Sequence, residues 1–534
     1  MEQSVGDNGP VTTSDLARSQ SRPERGRDDR GRLHLPDVST RTLVAGCGLA
    51  AFLLRFPGLL WPVRPDEAGF TLVARHWDPQ PDRLYGTYFV DRPPPIIALI
   101  KASDWIGGPL FIRFVAALGC VLLVVAAART AYLLGGDRAA RWTAVATTAV
   151  AGNAMLDSVA AKGEILGIPL IVTSFWFALE AVRVLPTARR RALLYAFGAG
   201  LLGMLCLGLK QNMASGLAFG GVVLVMSVIR REISWPDFGR LTVAALAGAA
   251  IPLGVTIGWC LAVGVRLHTL WYTVYGFRSD AMVVLAEGSQ EAPNIRAWKL
   301  LLIFFATGMA LIVVWFLLNL RHLWRANATV TAATLAVLLV DGAGVLLGGS
   351  FWRPYLLGMV PSVVLCTALI AGTAPPRPRV MRRIIGLSCV SCVLAMVGWV
   401  INNQTGAEPP TEIYTGEAVR AVSEPGDTIV VYGGRADIVL ASGLDSPYEH
   451  LWSLPMRTLD PELRDLTALL RSDERPTWVL EWISLDDWGA LGAPLKSALE
   501  EYYVPLGDGC DHPIYVRKDV ERQEPVPECT EPWL

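Results

Sequence analysis

The sequence predicts a polytopic α-helical membrane protein of about eleven transmembrane helices with a C-terminal α/β domain. Three observations carry that reading. Of 534 residues, 52% are hydrophobic and only 18% charged, with mean hydropathy +0.39; soluble chains carry about 25% charged residues, so lipid must solvate much of this one. Apolar runs recur from Thr42 onward at lengths near the ~20 residues that cross a ~30 Å hydrocarbon core. The polar connections alternate between strongly and weakly basic, as the two sides of a membrane require. A cytosolic enzyme is excluded. The net charge of -1, with no basic stripe, gives no electrostatic case for nucleic-acid binding.

Residues 1–40 are rich in Arg, Asp, Ser and Pro and offer little apolar surface to bury, so they read as a disordered cytoplasmic N-terminus. They are too long and too charged for a signal-peptide n-region, and no small-residue cleavage site follows the first apolar run. The membrane domain, 41–402, contains apolar runs at roughly 42–60, 109–134, 142–159, 165–182, 192–209, 212–229, 241–265, 299–319, 328–347, 354–373 and 384–401. Small residues such as Gly198, Gly200 and Gly203 suit close helix packing in lipid. With the N-terminus inside, every inner connection is basic, including Arg189–Arg191 and the stretch holding Arg377, Arg379, Arg382 and Arg383. The outer connections are a long loop 61–108, short turns near Lys162, Lys210 and Arg353, and a loop from Arg266 to Arg296.

An odd helix count places residues 403–534 outside the cytoplasm. Their strand-like runs 428–432, 477–483 and 513–517 alternate with helix-like runs 461–472 and 495–503, which reads as an α/β domain. No nucleotide-binding loop marks it. Cys510 and Cys529 lie in this polar tail, where a disulfide can form. The other seven cysteines lie in apolar runs and read as small hydrophobes, the Cys389–Cys392 pair included.

The first outer loop carries the chemistry. Its aromatic content, from Phe70 to Trp105, argues against disorder, and loops of this length are usually functional. Asp66 and Glu67 follow the outer end of the first helix. Two readings are open for them: a general base or cation site, or caps on a short interfacial helix starting near Pro65. Asp91-Arg92-Pro93-Pro94-Pro95 forms a rigid lead into an interfacial segment 96–106. Asp157, Lys162, Glu164, Lys210 and Arg353 punctuate the outer turns. Snorkelling explains any one cation there, whereas the set points to a functional face. His76 stands alone and reads as a surface or capping residue.

These residues carry a resemblance. Pro65-Asp66-Glu67-Ala68, Arg92-Pro93-Pro94, Arg113, the acidic residue of the third-to-fourth helix turn, the Lys210 turn and the Tyr355–Pro361 stretch occur in an order that resembles the GT-C class of membrane glycosyltransferases. The likeness is to the group holding the RgtA/B/C/D-like, lipid A aminoarabinose and protein O-mannosyl transferases. It covers roughly residues 42–373. Lys162-Gly163-Glu164 departs from the Asp of many relatives, and Trp352-Arg353-Pro354 from a commoner His-containing version.

The resemblance implies a GT-C fold and transfer of a pentose or hexose from a polyprenyl-phosphate donor to an envelope glycan, lipid or protein acceptor on the outer face. Asp66 would be the base of an inverting displacement, with Glu67 supporting it or binding a cation. Lys210, Arg353, Arg92 and Arg278 would meet the lipid phosphate, and Glu164, Lys162 and Tyr355 would help to hold substrate. No cofactor is required. A divalent ion near Asp66 is compatible with the pattern, although no His/Cys cluster demands one. The alternative is a transporter or flippase of a lipid-linked or envelope substrate, for which the sequence shows no two-fold repeat.

Overall fold

The structure, a computed structural model, describes residues 38–373 and 378–533. Residues 1–37, on which most of the expected N-terminal segment falls, and Arg377 of the last basic connection lie outside the described residues. Among the described residues, eight helices are long and apolar enough to cross a membrane. Glu291–Ala306 and Met309–Leu318 are bent by 70° at a short break and bring the count to nine if the pair is one span.

All eleven predicted runs are helical, with corrected bounds. The runs 109–134 and 142–159 are two helices within the stretch Phe111–Ala151, the second ending at Ala151, short of the expected bound. The backbone leaves helical geometry at Gly135 and Gly136, at the start of the expected inner connection, and each side of that break is near the length of one crossing. Ser215–Ile229 is only 15 residues long and falls short of a full crossing. The expected loop 266–296 is instead mostly helical: Leu267–Trp271, a π turn Tyr272–Gly276, and Phe277–Glu287. The last basic stretch is also helical from Pro378, so Arg379, Arg382 and Arg383 belong to helix Pro378–Gln404.

Burial separates centre from rim. Within their most apolar windows, Arg353–Gly372 is 83% buried and Gly163–Val184 72%, against 17% for Trp235–Ala262 and 22% for Thr40–Leu59. The rim helices turn large apolar side chains outward, among them Leu246, Val255, Leu302 and Leu394. Water would penalise such a surface and lipid does not. Helices Arg189–Leu209 and Trp235–Ala262 pack backbone to backbone, because a Cβ on Gly200 would lie 1.9 Å from Ala245 O and one on Gly248 2.0 Å from Phe197 O.

The C-terminal domain is built on a four-stranded sheet, β1 (Ile429–Tyr432), β2 (Trp478–Glu481), β3 (Tyr503–Asp508) and β4 (Pro513–Arg517), in the order β1-β2-β4-β3. β1 and β2 pair in parallel, Ile429 opposite Trp478, and β4 runs antiparallel to both its neighbours. The parallel strands are buried almost throughout, which is why they read as continuous apolar runs. β3 lacks that pattern and escapes sequence reading. Cys510 and Cys529 form a disulfide.

This domain sits on the first loop. Phe89 N donates to Glu449 O at 3.0 Å, Ser446 N donates to Tyr88 Oη at 3.1 Å, and Arg83 pairs with Glu449 at 3.4 Å. His76 caps helix Pro65–Arg75 through its N–H to Leu72 O and places Nε2 2.9 Å from Asp445 Oδ1.

Candidate active site

The site is assembled from helix ends. Pro65 starts helix Pro65–Arg75 with its fixed φ, which puts Asp66 and Glu67 in the first turn, where carboxylates suit the exposed N–H groups. The two then point to different places. Glu67 is 1% exposed. It accepts from Arg113 Nε at 2.8 Å and Nη2 at 2.5 Å, from Ala161 N at 2.6 Å and from Arg64 N at 3.0 Å. Arg113 spends its remaining donors on the carbonyls of Gly58, Trp61 and Pro62. Burial would raise the Glu67 carboxyl, yet Arg113 and the two backbone donors hold it below its ordinary value. Glu67 therefore clamps the loop to the second span and does not line the cavity.

Asp66 faces that cavity, a space of about 360 Å³. Arg92 reaches it from the first loop, Lys162 from the N-cap and Glu164 from the first turn of helix Gly163–Val184. Lys210 closes helix Arg189–Leu209 as its C-cap. Arg278 comes from helix Phe277–Glu287, and Tyr355 from the 3-10 turn Arg353–Met359. Seven of the nine predicted site residues thus meet around one space. Arg353 does not: it is exposed beside the cavity, whose wall there is formed by Trp352 and Tyr355.

The charges are paired, with cations in excess. Asp66 Oδ2 lies 3.5 Å from Lys162 Nζ, which lies 3.1 Å from Asp157 Oδ2. Lys210 pairs with Glu164 and stands 4.7 Å above the Tyr355 ring. Asp91 faces two guanidiniums, Arg92 at 2.8 Å and Arg278. Among the described lining residues five cations, Arg435 included, stand against three carboxylates. Burial would raise the Asp66 carboxyl, but Lys162, Arg92, Lys210 and a hydrogen bond from Trp452 hold it below its ordinary value. Burial pulls the Lys210 ammonium down, opposed by Glu164 and reinforced by Arg92.

Among the described residues, no three His, Cys, Asp or Glu side chains group as metal ligands. The carboxylates of the cavity each have an ammonium or guanidinium opposite.

Sequence reasoning missed three contributors. Trp452 and Arg435 come from the C-terminal domain, and no motif marks them. Asp341 is 7% exposed inside helix Ala328–Leu346, accepts from Ser362 Oγ at 2.6 Å, and borders a small space shared with Glu164, Lys210 and Tyr355. A lone carboxyl in an apolar run is the signal that could have found it.

No protein-family model and no curated protein matches the chain. Solved structures do. ArnT from Cupriavidus metallidurans, bound to undecaprenyl phosphate, superposes with a TM-score of 0.57 at 15% identity, over 89% of this chain and 97% of that one. The fold is GT-C. An Archaeoglobus fulgidus oligosaccharyltransferase tethered to an acceptor peptide aligns at 13% identity over 87% of this chain and 72% of that one, with a TM-score of 0.49. The GT-C fold makes this a multi-pass membrane protein, as its apolar helices require.

Proposed function

We propose that this chain is an integral membrane glycosyltransferase. It moves a sugar from a polyprenyl-phosphate donor to a hydroxyl of an envelope glycan, lipid or protein, on the side of the membrane that carries the C-terminal domain. The observation that supports this most is a single cavity holding an ionised Asp66 and an excess of Lys and Arg side chains, at the level where membrane helices end. The ArnT structure of the same fold contains undecaprenyl phosphate, the class of ligand that such cations suit.

The chemistry follows from the charges. The acceptor oxygen attacks the anomeric carbon while Asp66 takes its proton, and the bond from that carbon to the phosphate oxygen breaks. The electron pair leaves with the lipid phosphate, whose growing charge is met by Lys210, Arg92 and Arg278. One displacement inverts the anomeric centre. Glu164 holds the Lys210 ammonium toward the cavity, and Tyr355 supplies a flat surface beside it. Basic connections face the cytoplasm, and the C-terminal domain with its disulfide faces outward, in keeping with the positive-inside rule.

The test offers purified protein in nanodiscs a panel of synthetic undecaprenyl-phosphate pentoses and hexoses with an envelope fraction of the source cells. Release of undecaprenyl phosphate is read by mass spectrometry. At least one donor should release lipid phosphate in the presence of acceptor, and Asp66→Asn should abolish that release. Full activity in the Asn variant would sink the assignment.

A further inference from the structure

Asp66 lies in the membrane domain, yet one of its carboxylate oxygens is held from the other domain. Trp452 Nε1 donates to Asp66 Oδ1 at 3.3 Å, across 386 residues of sequence. The indole has a built seat. Gly69 follows Asp66 by three positions in the same helix, and a Cβ there would lie 2.2 Å from Trp452 Cζ2. Phe70 packs beside the ring at 5.7 Å between centroids. Behind it, Gly434 at φ +76° lets the chain approach so closely that a Cβ would meet Ser453 N at 2.3 Å, and Arg435 bridges to Trp452.

We propose that Trp452 is a positioning residue for Asp66: its indole N–H fixes the carboxylate's orientation, so that the C-terminal domain completes the site and does not merely cover it. The inference rests on Asp66 as the base. Without the bond, the carboxylate can turn about its terminal torsion, which is broad. With Oδ1 held by the indole, Oδ2 stays beside Lys162 and presents its free lone pair to the cavity. Productive attack needs that orientation before the acceptor arrives. The charges around Asp66 come from several elements: Lys162 and Asp157 before helix Gly163–Val184, Glu164 within it, Arg92, Lys210, Arg278 and Arg435. None of them is altered when Trp452 is replaced.

The test is Trp452→Phe, which keeps an aromatic ring and removes the donor. With the donor found active in the panel, kcat for lipid-phosphate release should fall roughly tenfold, the size of one hydrogen bond to a charged group, with donor KM unchanged. The bond favours the ionised carboxylate, so its loss should also displace the acid limb of the rate profile to higher pH. A structural role alone would lower yield and thermal midpoint without moving that limb. Gly69→Ala, which pushes the indole off its seat, should reproduce the displaced limb if Trp452→Phe does not purify. Wild-type kcat and an unmoved limb in either folded variant, with Asp66→Asn inactive, would overturn the positioning role and leave the base in place. An active Asp66→Asn would remove both.

Discussion

Asp66 and Glu67 are neighbours in sequence and belong to two different regions of the molecule. Around Glu67 the structure is dry and closed, and every acceptor position is filled by Arg113 or a backbone N–H. Around Asp66 it is open, and the carboxylate faces ammonium and guanidinium groups across a cavity. One helix turn thus divides its two acids between holding the loop in place and facing the cavity. Adjacency in a motif says that two groups start from the same place and says nothing about where they point.

The largest expected effect separates the pair by function. Asp66→Asn should reduce sugar transfer by roughly 10²- to 10⁴-fold, the usual range for a general base, while the thermal midpoint in detergent stays near wild type. Arg113→Ala should do the reverse. It leaves Glu67 buried and unpaired, which costs about 3–5 kcal/mol, and transfer should fall only as folded protein is lost. A thermal scan beside an assay normalised to folded protein checks both. A stable Arg113→Ala that is inactive would place Arg113 in the chemistry and dissolve the contrast.

A smaller effect probes the cavity alone. Lys210→Met removes the ammonium that Glu164 holds over Tyr355. Affinity for undecaprenyl phosphate, measured in nanodiscs, should weaken roughly tenfold, as expected for one charge-assisted contact. Unchanged affinity would leave Arg92 and Arg278 as the phosphate's partners.

Legibility followed the same division. The helices were visible because lipid imposes a length and an apolar composition on each crossing, and so were the charges at helix ends, which are conspicuous between apolar runs. The join at Gly135–Gly136 was legible too, because paired glycines beside charged residues interrupt the apolar run where the backbone leaves helical geometry. Asp66, Arg92, Lys162, Glu164, Lys210, Arg278 and Tyr355 could be gathered because each stands in or beside one of the connections expected on one side of the membrane. Glu67 and Arg353 could not be told from them, because side-chain direction depends on tertiary partners: Arg113 lies 46 residues from Glu67. Trp452 and Arg435 were invisible, since a docked domain contributes through surfaces that no local pattern records.

The smallest expected effect is the pH dependence of stability, and it tests whether the closed region is closed. Glu67 has a folded-state pKa held below its unfolded value of about 4.5. Its contribution is therefore fully present above that value and is lost as pH falls through the lower, folded one. Asp66 is depressed as well, in a cavity that admits water and salt. The thermal midpoint of the wild type should decline below about pH 4.5. Glu67→Gln should start lower, because an amide replaces the carboxylate opposite Arg113, and should decline less on acidification. Asp66→Asn should keep most of the wild-type slope, and any difference from wild type should shrink in high salt, whereas the Glu67→Gln difference should persist, because buried pairs are screened less. Equal slopes and equal salt responses in the two variants would mean that solvent reaches both carboxylates alike.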